Sequence, residues 1–200
     1  MIFVLIGILV LFVLLFVVFL VRNIKMDGET FNKLCQKKVA KIAKRNKLYA
    51  ISNLNICNYN REKLGINHVI FGTKYIYLIT DFMLKGFVSG EVDDNSWVYF
   101  NNLNRKTHYL SNLNIISNKN TQEFAGILGI KEDLIASICL VPNECDFKIE
   151  GLENDHNHVV HFSSLARKIK KYEKQNIDLL DRNQTYEQYK EIEKRNNERI

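Results

Sequence analysis

Several motifs that mark common enzyme and metal-binding classes are absent from this sequence. Its four cysteines show no C-x-x-C spacing, which argues against a zinc ribbon and against a thioredoxin-type redox pair. It has no P-loop and no G-x-G-x-x-G motif, so the usual phosphate-binding loops of nucleotide enzymes are missing. It has a single proline, Pro142, and no low-complexity segment that would indicate a disordered linker. These absences favour one folded domain without a familiar catalytic signature.

Charged, amide and hydroxyl side chains are absent from residues 1–21. A helix of this length rises about 30 Å, which matches the hydrocarbon core of a bilayer. A cleavable signal peptide would have a charged region before its apolar core and a small-residue cleavage site after it, and the sequence shows neither. A buried helix of a soluble protein would rarely lack every polar residue over this length. Residues 1–21 are therefore predicted to form a transmembrane anchor.

Positive charge follows the apolar run directly, at Arg22 and Lys25. The positive-inside tendency places the C-terminal side of the membrane helix in the cytoplasm and the N-terminus outside. We therefore expect a single-pass membrane protein with a cytoplasmic domain, in which the cysteines are reduced thiols. Cys35 lies on the apolar face of a predicted helix and is interpreted as a core residue.

The basic excess of the chain lies beside the predicted anchor. The formal net charge is +6, and residues 22–50 alone carry nine Lys or Arg against Asp27 and Glu29, a net of +7. Anionic lipid headgroups attract such a segment by about 1 kcal/mol per Lys or Arg. Nucleic acid is the alternative partner, because its phosphates attract the same side chains. The residues predicted to contact either partner are Arg22, Lys25, Lys33, Lys37, Lys38, Lys41, Lys44 and Arg45.

The spacing of apolar residues predicts an α/β fold with a central mixed sheet flanked by helices, preceded by the transmembrane helix. The predicted helices cover residues 30–48, 104–116, 121–128, 165–175 and 185–199, and Ser163 or Ser164 caps the fourth. The predicted strands cover residues 49–56, 66–71, 75–80, 86–90, 97–100, 134–141 and 159–162. The expected divisions of the chain are the anchor (1–21), a basic juxtamembrane helix (22–48), an α/β core (49–176) and a charged helical extension (177–200).

The strand pair at residues 66–86, INHVIFGTKYIYLITDFMLKG, resembles the core of the nuclease-related domain (NERD) family. The family pattern there is I-D-H-V followed by G-x-x-G, then I-E-x-K and a downstream K-G. Further segments resemble the family in the same order: residues 28–29, 89–97, 100–102 and 159–163. The resemblance covers most of residues 27–200 and implies a fold like that of restriction endonucleases.

The resemblance also implies a chemistry for which this sequence lacks the side chains. In the family, the Asp and the Glu of these motifs hold Mg²⁺, and the Lys helps to position the attacking water. Here the Asp position is Asn67, the Glu position is Thr80 and the Lys position is Phe82. A Gln that the family places after a helix start falls on Lys106. The resemblance therefore implies a nuclease-like domain whose catalytic positions are substituted.

Two family positions are retained, Glu29 and His68. His68 is interpreted as a residue that donates hydrogen bonds within the sheet. Asp81 follows Thr80 directly, but it cannot replace a carboxylate there because neighbouring strand residues point to opposite faces. We therefore predict no catalytic residue, metal or cofactor at these positions.

Two other groups of side chains have metal-binding chemistry. The first is an acidic cluster in a predicted turn: Glu91, Asp93 and Asp94. It is either a solvated turn or a relocated metal site. The second is the motif H-x-H-x-x-H, at His156, His158 and His161. On a strand its third histidine faces away from the first two, which disfavours metal binding. The nearby Trp97 is interpreted as a core anchor rather than a base-stacking platform.

Three functions are compatible with these features. The first is a membrane-anchored NERD-like domain that no longer hydrolyses nucleic acid and acts as a binding or scaffolding module. The second is an active metal-dependent nuclease with relocated carboxylates. The third is a membrane-surface adaptor that binds lipid headgroups and has no role with nucleic acid.

Overall fold

The computed structural model describes Phe12 and residues 27–102, 104–151 and 158–198. The predicted transmembrane anchor at residues 1–21 lies outside the described residues apart from Phe12, and so do Arg22 and Lys25. Within the described parts of the chain, no helix combines the length and the apolar character that crossing a bilayer requires.

The described residues form the helices and strands of an α/β fold, with a run of six strands after the first helix and a run of three after the second. The helices are α1 (Gly28–Asn46), α2 (Leu113–Leu128), α3 (Leu165–Glu173) and α4 (Arg182–Asn197). The strands are β1 (Tyr49–Ser52), β2 (His68–Phe71), β3 (Ile76–Asp81), β4 (Gly86–Glu91), β5 (Ser96–Asn101), β6 (Lys106–Ser111), β7 (Ile135–Val141), β8 (Cys145–Glu150) and β9 (Val159–His161). Short 3₁₀ turns precede β7 (Glu132–Leu134) and α3 (Phe162–Ser164).

Helix α1 has the amphipathic character that its sequence predicts. Asp27 caps it, because the Asp27 carboxylate accepts a hydrogen bond from the Thr30 N–H at 2.8 Å. That hydrogen bond also holds the pKa of Asp27 below its usual value. The side chains of α1 that face the sheet are buried, and Cys35 among them confirms the predicted core position. The exposed face of α1 carries the lysines.

A five-stranded mixed sheet lies at the centre of the fold, in the order β1-β2-β3-β7-β9. β1, β2 and β3 are antiparallel neighbours, whereas β3, β7 and β9 run parallel. The hairpin predicted from residues 66–71 and 75–80 is confirmed as β2 and β3. Helices lie on both faces, so the predicted mixed sheet flanked by helices is confirmed.

A second sheet of four strands, in the order β6-β5-β4-β8, continues beyond the ends of β3 and β7. In the chain, β4 follows β3 and β8 follows β7. β4 and β8 are parallel neighbours in the second sheet, as β3 and β7 are in the first. The sequence predicted one central sheet, so the division into two sheets is a correction. The physical cause is that the extended conformation is interrupted after β3 and again after β7. Because both interruptions fall at the same end of this strand pair, the first sheet ends there.

Three apolar clusters hold the layers together. One lies between the five-stranded sheet and the pair α1 and α3. A second lies on the opposite face of that sheet, where α2, α4 and residues 53–67 cover it. The third fills the inner side of the four-stranded sheet around Trp97, which is fully buried and confirms its predicted role as a core anchor.

The prediction of a helix at residues 104–116 is wrong over most of its length. Residues Lys106–Ser111 form strand β6 at the edge of the four-stranded sheet, and α2 begins only at Leu113. Asn112 determines this boundary, because its side-chain oxygen accepts from the Asn114 N–H at 2.9 Å and caps the helix. The Asn112 amide group also donates to the carbonyls of Val92 and Asp94, which fixes the cap against the β4–β5 turn.

Other boundaries differ in smaller ways. The first strand ends at Ser52 rather than at residue 56, because Asn53 adopts a positive φ of 56°. Helix α3 is confirmed, but neither predicted serine caps it: Ser164 precedes the helix without a side-chain hydrogen bond to it. Strand β8 was not predicted.

Candidate functional site

The two positions that the resemblance assigns to carboxylates lie next to each other. The Asn67 N–H donates to the Ile79 carbonyl at 3.0 Å, and the Asn67 side-chain oxygen accepts from the Asp81 N–H at 3.1 Å. Asn67 is therefore hydrogen-bonded to the residue before Thr80 and to the residue after it. Thr80 is buried, and its hydroxyl donates to the Gly65 carbonyl at 2.7 Å. Both side chains are neutral and engaged in hydrogen bonds within the domain.

The position that the resemblance assigns to a lysine is also occupied by a structural residue. Phe82 is half-buried and packs against the cluster around Trp97, and its N–H donates to the Leu140 carbonyl at 2.8 Å. Lys106 is exposed on β6. Residues 100–102 lie at the end of β5 and in the turn beyond it, so the helix start expected there is not present.

Of the two retained family positions, Glu29 lies at the surface. It occupies the first turn of α1, and its carboxylate is 2.5 Å from the ammonium of Lys33. Both side chains are mostly exposed, so this ion pair contributes little to stability. Glu29 therefore points into solvent and toward a cation of its own helix.

His68 and Asp81 form a buried polar pair between β2, β3 and α1. The Nε2 atom of His68 is 3.7 Å from Oδ1 of Asp81, and the other Asp81 oxygen accepts from the Asn32 amide of α1 at 3.0 Å. Among the described residues, neither ring nitrogen of His68 nor Oδ1 of Asp81 has a hydrogen-bond partner. The prediction that His68 donates hydrogen bonds within the sheet is therefore wrong for the part of the chain that the structure describes, in which neither ring nitrogen reaches an acceptor.

The expected division of Thr80 and Asp81 between opposite faces is confirmed. Asp81 faces α1 through Asn32, whereas Thr80 faces α2, where the Asn120 amide is 3.5 Å from its hydroxyl. The carboxylate of Asp81 thus belongs to a different layer from the positions in which the family pattern needs charge.

Burial lowers the pKa of His68, and this effect outweighs the opposing attraction of Asp81. His68 is therefore neutral at pH 7. In the unfolded chain a histidine takes up its proton near pH 6.5. Because the folded state binds this proton more weakly, stability is lost as the pH falls below about 6.5.

We expect His68→Gln to reduce this pH dependence in a fragment of residues 27–200. Below pH 6.5 the wild-type fragment should lose up to about 1.4 kcal/mol per pH unit through this one residue, and the variant should not. Urea unfolding between pH 5.0 and about 7.5 measures the difference. His108→Gln, at an exposed position of β6, is the matched control and should retain the wild-type slope. Equal slopes for wild type and His68→Gln would contradict the expected effect of burial.

The acidic cluster has the structure of a turn. The carboxylate of Asp94 accepts from the Glu91 N–H at 2.8 Å, and the Trp97 indole donates to the Glu91 carbonyl at 2.9 Å. Asp93 and the other two acidic side chains are exposed. In the described parts of the chain, no three His, Cys, Asp or Glu side chains are grouped so that they could hold a metal ion.

The histidine motif is divided between separate contacts. His156 lies outside the described residues. The Nδ1 atom of His158 is 3.0 Å from the Ser137 carbonyl, and the Nε2 atom of His161 is 2.6 Å from the Cys145 carbonyl. The last two histidines therefore contact the backbone of different strands.

The lysines of α1 are largely placed as the sequence predicts. Five of the six predicted contact residues in α1 are exposed: Lys33, Lys37, Lys41, Lys44 and Arg45. The exception is Lys38, whose ammonium lies 4.2 Å from the centre of the Phe162 ring and donates to the Phe162 carbonyl. Partial burial lowers the pKa of Lys38.

A second group of cations, which was not predicted from the sequence, lies on α3. This helix lies beside α1 on the same face of the sheet, and its Leu165 and Ile169 are buried in the cluster that also holds Phe31 and Ile42 of α1. Its basic residues are Arg167, Lys168, Lys170 and Lys171. The amphipathic pattern of residues 165–173, with cations opposite Leu165 and Ile169, was the signal that could have located them.

Comparisons with known proteins match no family model, no curated protein and no solved structure.

Proposed function

We propose that this protein is a membrane-anchored, NERD-like domain that acts as a binding or scaffolding module and does not hydrolyse nucleic acid. The observation that carries this proposal is the state of Asn67 and Thr80. Both side chains are uncharged, and both are held by hydrogen bonds to the backbone of neighbouring residues. A pair of residues in this state supplies neither the charge nor the free oxygens that Mg²⁺ takes as ligands.

The restriction-endonuclease-like fold is part of the proposal. It is supported by the mixed sheet, by the parallel pair of β3 and β7 at its centre, and by helices on both of its faces. It is also supported by the proximity of Asn67 and Thr80, because two residues that share one metal ion must lie side by side. Asn67 and Thr80 thus occupy positions at which the two carboxylates of the family motif could share a metal ion, although neither of these side chains is charged.

The fragment of residues 27–200 is expected to leave labelled single-stranded and double-stranded DNA and RNA intact in the presence of Mg²⁺ or Mn²⁺. The matched control replaces the whole acidic turn with alanine, at Glu91, Asp93 and Asp94, and should give the same result. Gel analysis of the end-labelled substrates measures cleavage. Metal-dependent cleavage by the wild type that this control abolishes would instead establish an active nuclease with relocated carboxylates.

The anchor is tested by extraction. The full-length chain should stay with the membrane fraction through washes with high salt and with alkaline carbonate, because residues 1–21 bury their apolar surface in lipid. A fragment that begins at Asp27 lacks this run and should be soluble. Release of the full-length chain by carbonate would show that residues 1–21 do not cross the bilayer.

A further inference from the structure

The cations of α1 and α3 form one surface, which we call the α1–α3 surface and define as residues 28–47 and 165–174. The two helices share one apolar cluster on the sheet, and Lys38 of α1 contacts Phe162 in the 3₁₀ turn that leads into α3. In both helices the buried side chains face the sheet, so the charged ones face away from it. The exposed basic residues are Lys33, Lys37, Lys41, Lys44, Arg45, Lys47, Arg167, Lys170, Lys171 and Lys174.

The charge of the α1–α3 surface exceeds that of the whole protein. Its two segments contain twelve Lys or Arg against Glu29 and Glu173, a net of +10, whereas the chain carries +6 and the remainder therefore −4. Glu173 faces inward, because it accepts hydrogen bonds from Thr73 and, at 2.6 Å, from the Tyr77 hydroxyl. The domain is thus strongly polarised, with its positive charge on one side.

A groove of about 420 Å³ runs between the two helices. Arg45 of α1 and Lys170 of α3 line it together with the apolar residues Ile42, Ala166 and Ile169. Glu173 lines it as well, and its carboxylate is engaged by Thr73 and by the Tyr77 hydroxyl. The two cations and the apolar side chains of the groove suit an anionic headgroup with the first carbons of its chains.

The predicted anchor places this surface near a bilayer. Six residues (22–27) separate the end of the apolar run from the N-terminus of α1, and an extended chain of that length spans about 21 Å. Helix α1 itself is about 28 Å long, so its whole length can reach the membrane surface. Single-stranded nucleic acid is less well matched, since binding it commonly uses exposed aromatic rings and the described side chains of α1 and α3 include none.

We infer that the α1–α3 surface binds the anionic headgroups of the membrane in which the chain is anchored, so that the domain lies with both helices against the bilayer. This inference rests on the anchoring proposed above. It adds α3 as a second contact and assigns the domain one orientation, in which α2 and α4, on the opposite face of the five-stranded sheet, are directed away from the bilayer.

The test uses the full-length chain in lipid nanodiscs, which expose both faces of the bilayer to reagents. Discs of phosphatidylcholine alone are compared with discs that also contain phosphatidylserine, and a membrane-impermeant amine reagent labels the lysines for mass spectrometry. Lys37, Lys41 and Lys170 should be labelled more slowly in the anionic discs. Lys119 and Lys148, which lie outside the α1–α3 surface, should be labelled equally in both.

The contribution of α3 is tested by Arg167→Glu with Lys170→Glu. Each charge lost weakens headgroup attraction about fivefold, so the protection of Lys37 and Lys41 should fall sharply even though α1 is unchanged. The charge-matched control, Lys119→Glu with Lys148→Glu, should keep that protection. Circular dichroism establishes that both variants are folded.

The outcomes separate this inference from the anchoring on which it rests. If the chain enters both kinds of disc and its α1 and α3 lysines are labelled equally in the two, the inference is wrong and the anchor stands. If the chain stays outside the discs, both fail. If an oligonucleotide slows labelling of the same lysines in neutral discs while phosphatidylserine does not, the surface binds nucleic acid and the membrane assignment is overturned.

Discussion

Gly86→Ala is expected to destabilise the domain by about 3 kcal/mol or more. Gly86 begins β4 with a φ of +138°, a conformation that residues with a side chain rarely adopt. A Cβ atom at this position would lie 2.1 Å from the Phe100 carbonyl oxygen and 3.0 Å from the Asn102 nitrogen. Relief of these contacts requires β4 and β5 to separate, which breaks hydrogen bonds in the middle of the four-stranded sheet. Urea unfolding of the 27–200 fragment measures the loss.

Gly126→Ala is the matched control for this prediction. Gly126 lies inside α2, and a Cβ atom there would meet only the Tyr59 ring at an ordinary contact distance of 3.8 Å. Alanine also favours a helix by about 1 kcal/mol over glycine, so this variant should be as stable as the wild type or more so. A Gly86→Ala fragment as stable as the Gly126→Ala fragment would show that the strand pairing described for β4 and β5 is incorrect.

Restoring the family motif is expected to have the other large effect. Thr80→Glu places a carboxylate at a buried position and removes the hydrogen bond to the Gly65 carbonyl, which then faces a negative charge. An unpaired buried charge costs about 3 to 5 kcal/mol, so this single variant should be much less stable than the wild type. Thr80→Gln, which has a similar size without the charge, should lose clearly less stability. Thermal and urea unfolding measure both.

The triple variant Asn67→Asp, Thr80→Glu and Phe82→Lys tests whether these positions correspond to the metal-binding positions of the family. Without metal it should be unstable, because two carboxylates are forced together. With Mg²⁺ at about a hundred times its dissociation constant, it should regain about 2.7 kcal/mol, while the wild type should not respond. A triple variant that gains nothing from Mg²⁺ would argue that these positions do not form a metal-binding geometry.

All the strands of the five-stranded sheet were predictable, whereas β6 and β8, the two edge strands of the four-stranded sheet, were not. β3 and β7 are almost wholly buried, so they appear in the sequence as short runs of Ile, Leu and Val. β6 is an edge strand that is exposed over nearly its whole length, so it shows no alternation of buried and exposed residues, and a helix was predicted there although the many Asn residues disfavour one. Its structure depends on backbone pairing with β5, which leaves little trace in side-chain pattern.

β8 was not predicted either, although its sequence has the alternating pattern of a strand. Along this strand buried or half-buried residues alternate with Asp146, Lys148 and Glu150, which are exposed. The period of two is that of a half-buried strand, yet its charged residues obscured it. The pairing of β8 with β4, by contrast, links residues far apart in the chain and had no local signal.

Some features of the candidate site were likewise predictable from the sequence, and others were not. The substitution of charge at Asn67, Thr80 and Phe82 is visible in the sequence itself. The burial of His68 beside Asp81 is a tertiary contact between two strands and a helix, and no spacing along the chain indicates it. The cations of α3 were hidden for a different reason, since acidic residues elsewhere in residues 151–200 bring the net charge of that segment to +1.

The two parallel strand pairs constrain which insertions the chain can accept. Ile76 pairs with Ile135 in the first sheet, and Gly86 pairs with Cys145 in the second, an offset of 59 residues in both. Residues 76–86 and residues 135–145, which contain the connections after β3 and after β7, are therefore stretches of equal length. One residue added to either connection would shift β4 against β8 by one position and exchange the inner and outer faces of a strand. Only a compensating addition in the other connection would restore the pairing, so these two distant segments can change in length only together.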